Sequence, residues 1–121
     1  MAVDPTGADL KRYLAEDQGG SVMMLNLLKF TATGRPTYEE YAREIQPFLD
    51  KVGGSVVYAG DTSTPLVQQD HFDWDAVLLV SYPSRAAFTA MVADPDYQQI
   101  TRLRTEALSE AVLQATTPWT R

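Results

Sequence analysis

The run Val-Met-Met-Leu-Asn-Leu-Leu-Lys-Phe at 22–30 is nearly continuous in apolar residues, the pattern of a strand covered on both faces. Upstream, Leu10, Tyr13 and Leu14 fall on one side of a short helix over 6–16, and the stretch 17–20 ends it. Residues 31–36 have the composition of a loop. Thr37 with Glu40 three positions later matches a capping box, which predicts a helix starting there. Tyr38, Tyr41, Ile45, Phe48, Leu49 and Val52 then recur at helical spacing, with Pro47 predicting a kink or a division and Gly53-Gly54 a stop. Residues 55–58 form a second strand, Gly60 suggests a bulge, and 61–73 is a polar loop or an excursion of that strand. Residues 74–82 predict a third strand. Pro83-Ser84 opens a helix with Phe88, Met91 and Val92 inward; Asp94-Pro95 breaks it, and a second segment covers 96–108. The last strand is 111–117, ended by Pro118.

The core order is strand, helix, strand, strand, helix, strand. That order predicts an α+β, ferredoxin-like β-α-β-β-α-β fold, an antiparallel sheet with helices on one face. The chain divides into an N-terminal helical extension, 1–20, and a single domain, 21–121. Helices cover one face of such a sheet only. Yet Val22, Met24 and Leu28 lie opposite Met23, Leu25 and Leu27, and Val77 and Leu79 lie opposite Ala76, Leu78 and Val80. A large apolar face is unusual in a monomer, and a twofold partner presenting the same sheet would cover it. The pattern therefore predicts a homodimer with sheets face to face.

Composition narrows the function. A chain of 121 residues supports one core. A net charge of −6 and a pI near 4.6, with no basic run, argue against nucleic acid or an anionic membrane as partner. Cysteine is absent, which removes thiol nucleophiles and thiolate metal sites and suits a cytoplasmic location. Asp4, Asp9, Glu16 and Asp17 interrupt any apolar leader, and no run is long enough to span a bilayer. One histidine and unclustered acids predict no metal.

The informative exception to the pattern is Arg104. It falls on the apolar stripe of Tyr97, Ile100, Ala107 and Leu108, four residues after Ile100, whereas Arg102 falls off it. An inward arginine cannot shed its charge and must meet a carboxylate, carbonyls or a bound anion. Asn26 breaks the first strand on the face of Met24, Leu28 and Phe30, and its amide needs partners, from neighbouring backbone or from a ligand oxygen. Tyr38 and Tyr41 share an inward helix face, as core residues or, for Tyr41, as a proton donor; Tyr97 invites the same two readings. His71, in Asp70-His71-Phe72-Asp73, is a solvated loop histidine or, if the loop folds over a pocket, a general base. Trp74 is a core residue or pocket wall, and Asp75 a candidate partner for Arg104 or for a cross-strand group. Met24, Phe88 and Met91 could shape an apolar pocket or only pack the core.

The segment VMMLNLLKF, the pair Tyr38 and Tyr41, Pro47 with Gly53-Gly54, Trp74-Asp75, YPSRAAFTAMVADPDYQ and Arg104 together resemble domain-of-unknown-function family 1330, over residues 22–117. The resemblance implies membership of the dimeric α/β-barrel group. Relatives there include cofactor-independent antibiotic-biosynthesis monooxygenases, haem-degrading monooxygenases, muconolactone isomerases and chlorite dismutases. It supports a dimer and supplies no reaction. Haem-degrading relatives use an asparagine on the first strand and a histidine on the second helix; Asn26 matches the first loosely, and no histidine stands in the second helix. No cofactor is therefore expected.

These readings converge on a homodimer that binds a small organic molecule with a carbonyl or carboxylate group between sheet and helices. Asn26 and Arg104 would orient its oxygen, and Tyr41 or His71 would move a proton, in a cofactor-independent oxygenase, isomerase or cyclase. The alternatives are a non-catalytic binding or structural dimer and a haem-dependent monooxygenase.

Overall fold

In a computed structural model, residues 3–70 and 73–119 are described. His71 and Phe72 lie outside them. The elements are α1 (Gly7–Ala15), β1 (Val22–Phe30), α2 (Gly34–Glu44), α3 (Gln46–Val52), β2 (Ser55–Asp61), β3 (Ala76–Tyr82), α4 (Arg85–Ala93), α5 (Pro95–Ala107) and β4 (Leu108–Thr116). The four strands form one antiparallel sheet in the order β2-β3-β1-β4, the ferredoxin-like arrangement.

β1 takes the central place its apolar run requires. Val22, Met24, Asn26 and Leu28 are buried beneath the helices, and the alternate residues Met23, Leu25 and Leu27 are partly buried on the other face. Leu25 pairs with Leu79, and Leu27 pairs with Val77 on one side and Val112 on the other. Tyr58 joins this outer face opposite Leu79 and is 55% exposed. The centre of the outer face is thus apolar, formed by Leu25, Leu27, Val77, Leu79 and Val112, while Ser81, Gln114 and Thr116 stand at its polar margin.

Several boundaries differ from the sequence pattern for physical reasons. The helix expected to start at Thr37 begins a turn earlier, at Gly34, and Thr37 lies inside it. Gly34 is buried where the 31–34 turn meets the end of α5; the Thr31 amide donates to the Ala107 carbonyl at 2.9 Å. A Cβ on Gly34 would drive into that same carbonyl oxygen. Gly34→Ala should therefore lower unfolding stability by about 3 kcal/mol, read from urea denaturation; a change near zero would mean that the turn shifts freely.

Pro47 divides the helix as expected, standing in the first turn of α3, and Gly53 closes α3 with φ 78°. The irregularity in β2 lies between Val56 and Tyr58 rather than at Gly60, and β2 continues to Asp61. β3 starts at Ala76, leaving Trp74 and Asp75 in the connection before it. β4 begins at Leu108, three residues before the expected start, because the chain turns extended directly after α5 (Leu108 φ −113°, ψ 136°).

α1 packs on α4. Tyr13 meets Phe88 edge-on at 5.8 Å, and Arg85 donates to the Tyr13 carbonyl at 2.8 Å. Thr6 and Asp9 cap α1 reciprocally.

Candidate functional site

Between the sheet and the helices lies a cavity of about 280 Å³. Its floor is Asn26 on β1, Leu78 and Val80 on β3 and Val56 on β2. Its roof is Tyr38 and Tyr41 from α2, Phe88 and Met91 from α4, and Tyr97, Thr101 and Arg104 from α5. The volume is at the small end for an organic ligand. Seven residues singled out in the sequence line it together: Asn26, Tyr38, Tyr41, Phe88, Met91, Tyr97 and Arg104. Met24 lines a second, neighbouring cavity. Trp74 and Asp75 line neither.

Arg104 is buried, at 5% exposure, as its place on the α5 stripe requires. Its partner is Asp4, not Asp75. Nη1 donates to Asp4 Oδ1 at 3.0 Å and to the Val3 carbonyl, and Thr105 donates to the other Asp4 oxygen at 2.8 Å. The Asp75 carboxylate instead accepts from the Phe30 amide at 2.9 Å and stands 3.8 Å from Lys29. No periodicity could reveal Asp4, because it lies a hundred residues away in sequence and outside any regular element. The second guanidinium nitrogen, Nη2, is buried with no hydrogen-bond partner among the described residues.

Asn26 is held by β1 between Leu78 and Leu113. Its amide makes one long hydrogen bond, from Nδ2 to the Met24 carbonyl at 3.3 Å, so most of its bonding capacity is unspent. Tyr41 and Tyr97 share a hydrogen bond of 2.7 Å between their hydroxyls. Whichever donates, the other keeps its proton for a further acceptor. Tyr38 stacks beside Tyr41 at 5.5 Å between ring centres.

Burial pushes the Tyr38 phenol up to about 12, although Arg104 opposes the shift. Burial likewise holds Tyr41 well above the ordinary phenol range, reinforced by Tyr97, and raises Tyr82. These hydroxyls are donors at neutral pH and cannot act as bases there. The folded state prefers the neutral phenols, whereas the unfolded chain ionises them from about pH 10. The stability they contribute is complete below that pH and is lost as pH rises toward 12. Urea midpoints should fall steeply over this interval, and tyrosinate absorbance should appear together with unfolding; tyrosinate formed before unfolding would contradict the burial.

Among the described residues no group of three or more His, Cys, Asp or Glu side chains is placed to hold a metal ion, and no helix is long and apolar enough to cross a membrane. Asp4 is the one carboxylate among the described residues lining the first cavity, and the sequence reading missed it.

Fold and site together define a ferredoxin-like α+β protein with a polar-ended cavity between sheet and helices. Residues 25–116 match the profile of the family described as Domain of unknown function (DUF1330), and the chain belongs to that family. It is similar to the crystal structure of RPA0582, a protein of unknown function from Rhodopseudomonas palustris, with 31% identity, TM-score 0.89 and 98% of each chain covered. More distant likenesses share the fold. A dimeric ferredoxin-like protein of unknown function from Thermobifida fusca has TM-score 0.55 at 12% identity, covering 84% of this chain and 93% of that one. The hydroxynitrile lyase of Passiflora edulis has TM-score 0.64 at 10% identity, covering 84% of this chain and 96% of that one. No curated protein sequence matches the chain.

Proposed function

We propose that this protein is a cytoplasmic homodimer that binds a small organic molecule through a carbonyl or carboxylate oxygen in the cavity of each protomer. The observation that carries the reading is Arg104, a buried guanidinium that lines the cavity and whose Nη2 has no hydrogen-bond partner among the described residues. Buried charged donors are costly to leave unpaired, so a ligand oxygen there is strongly favoured. The unspent Asn26 amide and the spare proton of the Tyr41–Tyr97 pair line the same cavity.

Such an arrangement polarises a carbonyl and stabilises negative charge developing on its oxygen. The tyrosine pair supplies a proton, and Asp4, beside the guanidinium, is the carboxylate able to accept one. Proton-transfer chemistry at a carbonyl follows, as isomerisation or cyclisation, and cofactor-free oxygenation uses the same anion stabilisation. Fold alone does not choose among them, since this fold also carries a lyase. His71 remains a candidate base if the 61–75 connection brings it to the cavity mouth.

The dimer rests on the apolar outer face of the sheet and on the dimeric neighbour of the same fold. One observation favours a second, structural reading: Nη1 of Arg104 already ties Val3 and Asp4 to α5. Titration calorimetry with benzoate separates the two. Saturable binding near one benzoate per protomer supports the ligand site. Heats of dilution alone, for benzoate and for its neutral carbonyl analogue acetophenone, contradict it and leave Arg104 as a tether.

A further inference from the structure

Among the described residues the wall of the first cavity carries one guanidinium, Arg104, and one carboxylate, Asp4. Its other polar side chains add no charge. Asn26, Gln98 and Thr101 are neutral groups, and burial keeps the Tyr38 and Tyr41 phenols protonated. The buried cation of this wall is therefore already balanced by an anion in the same wall.

The anion is held in place. Pro5 follows Asp4 and disfavours helical backbone there, and Thr6, next along, caps α1. Both carboxylate oxygens of Asp4 are engaged: Oδ1 accepts from Arg104 Nη1 at 3.0 Å and Oδ2 from the Thr105 hydroxyl at 2.8 Å. Arg104 and Thr105 are consecutive on α5, so one turn of helix fixes the carboxylate beside the guanidinium. The Val3 carbonyl accepts from the same Nη1 and anchors the backbone before Asp4.

This pairing bears differently on the two kinds of ligand oxygen. A carboxylate entering the cavity gives up the hydration of a full charge. A lone arginine would offset much of that loss. With Asp4 at 3.0 Å from Nη1, the incoming anion is attracted by one charge and repelled by the other, and the offset shrinks. A neutral carbonyl loses far less hydration, meets no such repulsion and needs only a donor. The effect acts through space, so it requires only that both charges border the space the ligand fills.

We infer that Asp4 sets the ligand class of this site: a neutral carbonyl compound, such as a ketone, aldehyde or ester, in preference to a carboxylate. This inference rests on the oxygen site proposed at Arg104 and selects between the two oxygens that reading allows. Asp4 is then a specificity-determining residue.

The test is titration calorimetry of the full chain with acetophenone and benzoate, which differ by a methyl group in place of a charged oxygen. The wild-type protein should bind acetophenone at least as tightly as benzoate. Asp4→Asn keeps an oxygen for Arg104 and Thr105 and removes the negative charge. It should raise the ratio of benzoate to acetophenone affinity about tenfold. Benzoate bound more tightly than acetophenone by the wild-type protein overturns the inference, and so does a ratio that does not rise in Asp4→Asn; saturable binding of either compound still keeps the Arg104 site. The wild-type comparison decides alone if Asp4→Asn does not fold. Heats of dilution alone for both compounds overturn the inference and the Arg104 site together.

Discussion

Arg104→Met is expected to weaken benzoate binding by about a hundredfold while the protein stays folded. A charge-assisted hydrogen bond from Nη2 to a carboxylate contributes on the order of 3 kcal/mol in a partly desolvated site, which corresponds to that factor. Methionine keeps much of the aliphatic volume between Tyr97 and Ala107, so no large cavity opens. The variant also loses the ties to Asp4 and Val3. The Asp4 side chain is 39% exposed, so it can be rehydrated, and the loss of stability should stay near 1 kcal/mol. Arg104→Lys retains the charge without the fork and should recover part of the affinity. Unfolding of both variants, or benzoate affinity unchanged in both, would show that Arg104 serves packing and not a ligand.

Leu27→Asp should convert the proposed dimer to a monomer. Leu27 sits at the centre of the outer face, flanked by Val77 and Val112, where a twofold interface would bury it. Two carboxylates facing each other in an apolar interface cost several kcal/mol, enough to raise the dissociation constant by about a thousandfold. Light scattering after size exclusion reads the mass. Tyr58→Asp, at the exposed margin of the same face, should weaken association less and serves if the central variant does not fold. A dimer that persists through both substitutions would place its interface elsewhere. The cavity lies on the helix side of the sheet, so benzoate affinity in a folded monomer should be unchanged.

Much of this architecture is legible in the residues because burial writes itself into periodicity. β1 coincides with its apolar run, and Pro47, Gly53 and Ser84 mark boundaries by constraints that act within a turn of the chain. Arg104, Asn26 and the tyrosines stand out because each contradicts or decorates an otherwise apolar face, and the structure gathers them around one cavity. What the pattern hides is set by contacts distant in sequence. Thr37 and Glu40 satisfy the form of a capping box, yet the helix starts at Gly34, the site of a close tertiary approach to Ala107. Of the two partners open to Asp75, the cross-strand one is realised at the Phe30 amide and Arg104 is not; Asp4 has no local signal at all. Tyr13 reads as one more apolar position of α1, and only the folded arrangement shows that its buried hydroxyl has no partner among the described residues.

In the proposed dimer each protomer holds an organic oxygen at Arg104. Sedimentation velocity with a nitrated hydroxybenzoate that absorbs in visible light reads mass and bound ligand in one experiment. A boundary at dimer mass should carry the visible absorbance, near one ligand per protomer, and should lose it in Arg104→Met. A boundary at monomer mass, or a dimer boundary that carries no visible absorbance at saturating ligand, would contradict it.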